Sequence, residues 1–198
     1  THLVVYDLVR MLPRLERRFA PSVHYSINVS PTQALNMQFM QELIQRLCDT
    51  GRANRFRLEL TEESLAATGP FQSQVLPLLR DAGLGLSIDD FGTGYSSLST
   101  IADLTVDELK IDRSLISAIH QRPRNQSILR AIKSMGTALG IKGIAEGVET
   151  VEEQLYLMAQ IGLRTGQGYL FHTPQLLDDL LRETPPLSDT VFRTGTTG

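Results

Sequence analysis

Apolar residues gather in six short stretches along the chain, and each stretch is followed by a segment with a longer period. The short stretches are VHYSINVS (23–30), RFRLELTE (55–62), LGLSIDD (84–90), VDELKID (106–112), KGIAEGVE (142–149) and RTGQGYLF (164–171). Between them lie NMQFMQELIQRLCDTG, FQSQVLPLLRDAG, a shorter SSLSTIADL, NQSILRAIKSMGTALG and VEEQLYLMAQIG, which read as helices. Gly51, Gly83, Gly140 and Gly162 stand where helix C-caps belong. Ser30-Pro31-Thr32-Gln33 reads as an N-cap, a proline at the first helical position and a capping glutamine; Thr150 to Glu153 reads as a second capping box. The opening segment carries Val5, Leu8, Leu12, Leu15 and Phe19 at helical spacing, and Pro13 predicts a kink or break there. It begins inside this pattern and without Met, which reads as a fragment of a longer protein.

Strands alternating with helices predict an α/β fold with parallel strands and right-handed crossovers. Polar side chains able to do chemistry close every strand: Asn28, Glu59, Asp89 with Asp90, Lys110, Glu146 and Gln167. A parallel barrel collects its C-terminal strand ends on one rim, whereas an open doubly wound sheet gathers function at one switch point. Six consecutive functional strand ends therefore favour a TIM-like barrel. A full one has eight strands and about 250 residues, so this chain reads as the last six strands of one. The barrel domain is expected over 1–184, with 185–198 as a disordered tail.

Composition narrows the function. The formal net charge is −3 with no basic block, which argues against a nucleic acid polymer as partner. Cys48 is the one cysteine, which excludes an intrachain disulfide framework and a cysteine-based zinc cluster and fits the reducing cytoplasm. No apolar run reaches the length of a membrane span, so no membrane contact is expected from this segment, although regions outside it could anchor a parent protein.

The motif LGLSIDDFGTGYSSL (84–98) runs a strand-like stretch into two adjacent aspartates and then into Gly-x-Gly. Neighbouring strand residues point to opposite faces, so the pair is expected at the strand's end, where Gly92 and Gly94 let the chain turn. Asn28, Glu59, Asp89, Asp90 and Glu146 offer only oxygen donors, which suit Mg²⁺ or Mn²⁺. Two such ions, with one carboxylate shared, would fit phosphoester hydrolysis, and Lys110 adds a cation for a developing phosphorane oxygen. Taken singly, each residue has a plainer role. Asp-Asp before Gly is a common turn, Asn28 can cap the chain, Glu59 and Glu62 can sit at a helix start, and Lys110, Glu146, Glu149 and Gln167 can be ordinary polar residues. Tyr95, Tyr169 and Phe171 read as core or rim packing. Joint placement at successive strand ends is what favours a site.

SINVS, LELTE, DDFGTGYSSL, LKID, AEGVET and QGYLF, in this order from about residue 3 to 175, closely resemble the EAL-domain cyclic-di-GMP phosphodiesterases. The resemblance implies a (β/α)8-type barrel with one antiparallel strand. It also implies hydrolysis of one phosphodiester of cyclic-di-GMP to linear pGpG with two Mg²⁺ or Mn²⁺ ions, in bacterial second-messenger signalling. On the same resemblance, Asn28, Glu59 and Asp89 are ligands of the first metal, and Asp89, Asp90 and Glu146 serve the second. Lys110 orients the attacking water, with Lys110 and Glu146 as the catalytic pair. Glu62 steadies the loop after Asp90, through which a homodimer is implied, and Glu149 and Gln167 support the site. The Glu-Ala-Leu signature and the arginine after it are absent; in the family they precede the opening helix, so the first two strands and one ligand are expected upstream of Thr1. The resemblance leaves an alternative, a catalytically inactive cyclic-di-GMP receptor or protein-docking module.

Overall fold

The computed structural model describes residues 2–62, 69, 71–93, 101 and 105–182. The opening helix α1 (His2–Arg18) runs unbroken through Pro13, contrary to the predicted break. Met11 and Leu12 before the proline and Leu15 after it are all buried. This apolar stripe holds both halves against the core, which offsets the backbone hydrogen bond that proline cannot make.

Five strands follow: β1 (Tyr25–Asn28), β2 (Phe56–Thr61), β3 (Gly85–Phe91), β4 (Glu108–Ile111) and β5 (Lys142–Ala145). They form one sheet in chain order, every neighbouring pair parallel. Parallel pairing needs long crossovers, usually helical, and helices are seen in those described. Helices α2 (Pro31–Ala34) and α3 (Met37–Cys48) join β1 to β2, and α4 (Leu76–Asp81) precedes β3. Helices α5 (Arg113–Ile116) and α6 (Pro123–Leu139) join β4 to β5, and α7 (Val151–Tyr156) follows β5. The chain then passes to α8 (Leu177–Leu180). Both predicted capping boxes form. Gly51, Gly83, Gly140 and Gly162 all take positive φ, between 66° and 78°, as C-terminal helix stops do. Most of the SSLSTIADL segment and the tail expected over 185–198 lie outside the described residues.

The sixth predicted strand, 164–171, is reduced to one parallel bridge between Ala145 and Gly166. The reason lies two residues on. Gly168 has φ 154°, and the chain turns there, with the Phe171 and His172 amides donating back to the Gly168 carbonyl. The segment still locks onto the end of β5. Ala145 N donates to Thr165 O, Gln167 N to Ala145 O, and Val148 N to Gln167 O. The sheet is thus an open portion of an α/β barrel.

Alternation along the strands sorts the two faces of the sheet. Leu58 and Leu60, Leu86 and Ile88, and Leu109 share one buried cluster with Met40, Leu43 and Leu47 of α3 and Leu79 of α4. Fully burying each such side chain stabilises by roughly 1.5–3 kcal/mol. The intervening positions, Arg57 and Glu59, Ser87 and Asp89, Glu108 and Lys110, lie on the other face. Several of these line a cavity of about 650 Å³ bounded also by Leu8, Leu15 and Phe19. At one end of this face Glu108 pairs with Arg57 (3.3 Å) and Lys142 (3.4 Å). Gly85 makes room for this group, since a Cβ there would lie 2.5 Å from Arg57 Nη1. At the other end lies the group of acids considered next.

Gly168→Ala tests the lock at the end of β5. A Cβ there would stand 2.2 Å from Val148 O at a φ that side chains rarely adopt. The expected outcome is a loss of roughly 1–3 kcal/mol or more in thermal unfolding, with faster amide exchange at Val148.

Candidate active site

Lys110 organises the site. From the third position of β4 its ammonium reaches Glu59 of β2 at 3.0 Å, Asp89 of β3 at 2.8 Å, and Glu146, just past β5, at 2.8 Å. The register explains the convergence. Glu59 lies opposite Ser87 on β3, Ser87 opposite Glu108, and Lys110 opposite Ile144. Successive inward positions therefore stack near one end of the sheet. The lysine side chain is only 8% exposed, so its three donors are spent on three carboxylates with little help from water.

The adjacent aspartates stand at the end of β3, as expected from the sequence; only Phe91 follows them before the turn at Gly92. Two neighbours reach one place because the strand is bulged. Its register with β4 shifts between Ile88 and Phe91, and Asp90 takes φ 53°, left-handed for a residue other than glycine. A bulge inserts a residue and re-aims side chains. One carboxylate oxygen each from Asp89, Asp90 and Glu146 consequently lie within 4.8 Å of one another.

Crowding leaves an electrostatic mark. Burial lifts Glu146 to about 7, against its hydrogen bond to Lys110 and with help from Asp89 and Glu59. Burial also raises Asp90, reinforced by Asp89 and Asp112. For Lys110, burial alone would lower the pKa, but the hydrogen bonds it donates to Asp89 and Glu146 and the charge of Glu59 hold it above the ordinary lysine range. One ammonium therefore faces Glu59, Asp89, Asp90 and Glu146, and carboxylates remain short of positive charge. A set of hard oxygen donors in that condition fits a divalent cation of the Mg²⁺, Mn²⁺ or Ca²⁺ kind.

The other expected residues surround this group. Glu62 is 4% exposed and accepts from the Gly92 amide at 3.1 Å, at the start of the loop that follows the aspartates. Gln167 donates from its amide to Glu146. Glu149 pairs with Arg113 at 2.8 Å. Asn28 ends β1 opposite Glu59 in the register and is exposed. Tyr169 is exposed, not core, while Phe171 packs on the buried cluster of Ile111, Leu115 and Val148. Arg113 and Glu153 were missed by sequence reasoning as parts of the site's support. Arg113 directly follows the LKID motif, and Glu153 was read only as half of a capping box.

The family model described as "EAL domain" matches residues 1–174. Cyclic di-GMP phosphodiesterase PdeR of Escherichia coli is 33% identical over 86% of this chain and 26% of its own length. Among solved structures, the PaMucR phosphodiesterase in complex with c-di-GMP superposes with a TM-score of 0.82 at 30% identity, covering 90% of this chain and 72% of that one. The Klebsiella pneumoniae BlrP1 manganese and cyclic-di-GMP complex gives a TM-score of 0.75 at 32% identity, covering 86% and 43%. The chain spans about a quarter of the length of the curated relatives it matches. Among the described residues no helix is long and apolar enough to cross a membrane.

Glu62→Ala removes the acceptor for the Gly92 amide while leaving the Lys110 group in place. The expected result is faster hydrogen exchange at Gly92 and a stability loss of about 1–3 kcal/mol, measured by exchange mass spectrometry and denaturant melts.

Proposed function

The chain belongs to the EAL domain family, and on that premise we propose that it carries the catalytic centre of a cyclic-di-GMP phosphodiesterase. The observation that carries this reading is the convergence of Glu59, Asp89 and Glu146 on Lys110, with Asp90 brought alongside by the bulge. The names and ligands of the relatives, PdeR and the PaMucR and BlrP1 complexes, support it. A receptor that only binds the nucleotide would have no need of the Lys110 cluster.

The reaction adds one water across one phosphodiester. The water oxygen bonds to phosphorus, the bond from phosphorus to the 3′ oxygen breaks, and that oxygen leaves as a hydroxyl, giving linear pGpG. Asp89, Asp90 and Glu146 would hold a divalent cation, with Asn28 and Glu59 completing the oxygen set for a second; we assign these as Mg²⁺ or Mn²⁺. Bound there, the metal supplies Lewis-acid charge to the phosphoryl oxygens.

The chain's own groups do the rest. Lys110 orients the attacking water and faces the negative charge that grows on the phosphoryl group. Glu146 is suited to take the water's proton, because a base with a pKa near the working pH combines availability with driving force. Gln167 holds the Glu146 carboxylate in position. Glu149, through Arg113, fixes the loop behind it. Glu62 fixes the start of the loop after Asp90, and a homodimer through that loop is part of the proposal, as is a cytoplasmic setting.

Two substitutions separate binding from chemistry. Asp89→Ala removes a carboxylate shared by the lysine and the cation group, and should lower kcat by on the order of 10³-fold, measured as pGpG release with Mn²⁺; turnover near the parent value would overturn the metal-assisted reading. Lys110→Met should cut kcat about 10²- to 10³-fold while cyclic-di-GMP affinity, measured by calorimetry, changes far less. Equal losses in both would make Lys110 a binding residue only.

A further inference from the structure

The loop that carries Glu146 runs from the end of β5 to the start of α7, and its backbone is tied at nearly every step. Glu146 N donates to Ile111 O at 3.0 Å and Val148 N to Gln167 O at 3.0 Å. The next two amides, of Glu149 and Thr150, both donate to Glu153 Oε2, at 2.9 and 3.1 Å. The second oxygen of the same carboxylate reaches across to the neighbouring rim segment, where Oε1 accepts from Ala118 N at 2.7 Å. Ala118 takes φ 51°, a strained conformation for alanine. It follows α5, which begins three residues after Lys110. One side chain thus joins the loop of Glu146 to the segment that continues from Lys110.

A capping glutamate at a helix start is ordinarily a surface residue serving its own helix. Glu153 is 4% exposed, and the shortest of its carboxylate contacts is to Ala118, outside its own helix. Burial would raise its pKa, but the three backbone donors outweigh that and hold it below the usual carboxylate range. The same two segments meet again where Gly147, at φ 65°, presses on Arg113; a Cβ there would lie 2.6 Å from Arg113 Cγ. The Arg113–Glu149 pair closes the contact on the solvent side.

We propose that Glu153 is a positioning residue for the reaction. Its carboxylate fixes the Glu146 loop against the turn at Ala118, so that Glu146 meets Lys110 and the aspartates at cation-binding distance. It touches neither substrate nor cation. A glutamine in its place has one acceptor oxygen instead of two and can serve one segment but not both. Supports of this kind, placed behind ligating groups, alter metal affinity or activity by about 10- to 100-fold when changed. The kinetic part of the proposal rests on the hydrolase reading; the metal-binding part does not.

The test compares Glu153→Gln with Thr150→Val in the protein as it stands. Thr150→Val removes the hydroxyl that accepts from the Glu153 amide and caps α7, and leaves the Glu153 carboxylate with its three backbone donors. Mn²⁺ affinity is read without nucleotide from the resonance of the free ion, and kcat and KM are read from pGpG release. Glu153→Gln is expected to weaken Mn²⁺ binding about 10-fold and to lower kcat by a similar factor, with KM for cyclic-di-GMP within about 3-fold. Thr150→Val is expected to keep both Mn²⁺ affinity and kcat. Parent-like Mn²⁺ binding and kcat in Glu153→Gln would overturn the proposal, as would an equal loss in Thr150→Val, because helix capping alone would then explain the effect. If Glu153→Gln fails to melt cooperatively, Glu153→Asp is measured in its place, and parent-like Mn²⁺ affinity there overturns the proposal. If the parent protein binds Mn²⁺ but releases no pGpG, the hydrolase reading fails and the Mn²⁺ comparison alone decides the role of Glu153.

Discussion

A single ammonium ion sets the terms for this half-dry rim. Lys110 can give three hydrogen bonds, and it gives them to acids from β2, β3 and the end of β5. Removing four or five charged groups from water is costly unless they are paired and hydrogen-bonded. The lysine meets that condition for Glu59, Asp89 and Glu146 alike, although burial still lifts the Glu146 pKa to about 7. The strand register, the bulge in β3 and the bridge to Gly166 can all be read as ways of delivering side chains to that one nitrogen.

Much of this was legible in the sequence because two periodicities carry it. Strand-like runs alternating with helical ones gave parallel pairing, and polar residues at successive strand ends gave the rim. The motifs around Asp89, Lys110 and Glu146 then marked the family. The capping boxes at Ser30 and Thr150 and the glycine stops were readable for a local reason: each is a bond between residues a few positions apart.

What escaped the sequence depends on distances through space. Alternation alone puts Asp89 and Asp90 on opposite faces, and nothing in the letters announces a left-handed aspartate inside a strand. The run at 164–171 has strand-like composition but turns at Gly168, because the backbone of Val148 lies so close. Pro13 is tolerated because buried neighbours on both sides hold the helix. Glu153 looked like a local cap, and its bond to Ala118, 35 residues away, could only be seen in the fold.

The division of the sheet into an apolar helix-facing side and a charged inner side has a consequence for how such a chain can change over generations. Along β2, Phe56, Leu58 and Leu60 answer to volume, while Arg57 and Glu59 answer to charge balance, and the two sets interleave one residue at a time. Selection on folding and selection on chemistry therefore act on different letters of the same short word. A lineage can swap inner-face ion pairs such as Arg57–Glu108 without disturbing the packing behind them. It can equally retune the packing while the acids keep their geometry. That separation makes the scaffold evolvable, since new specificities can be explored on one face while the other preserves the fold.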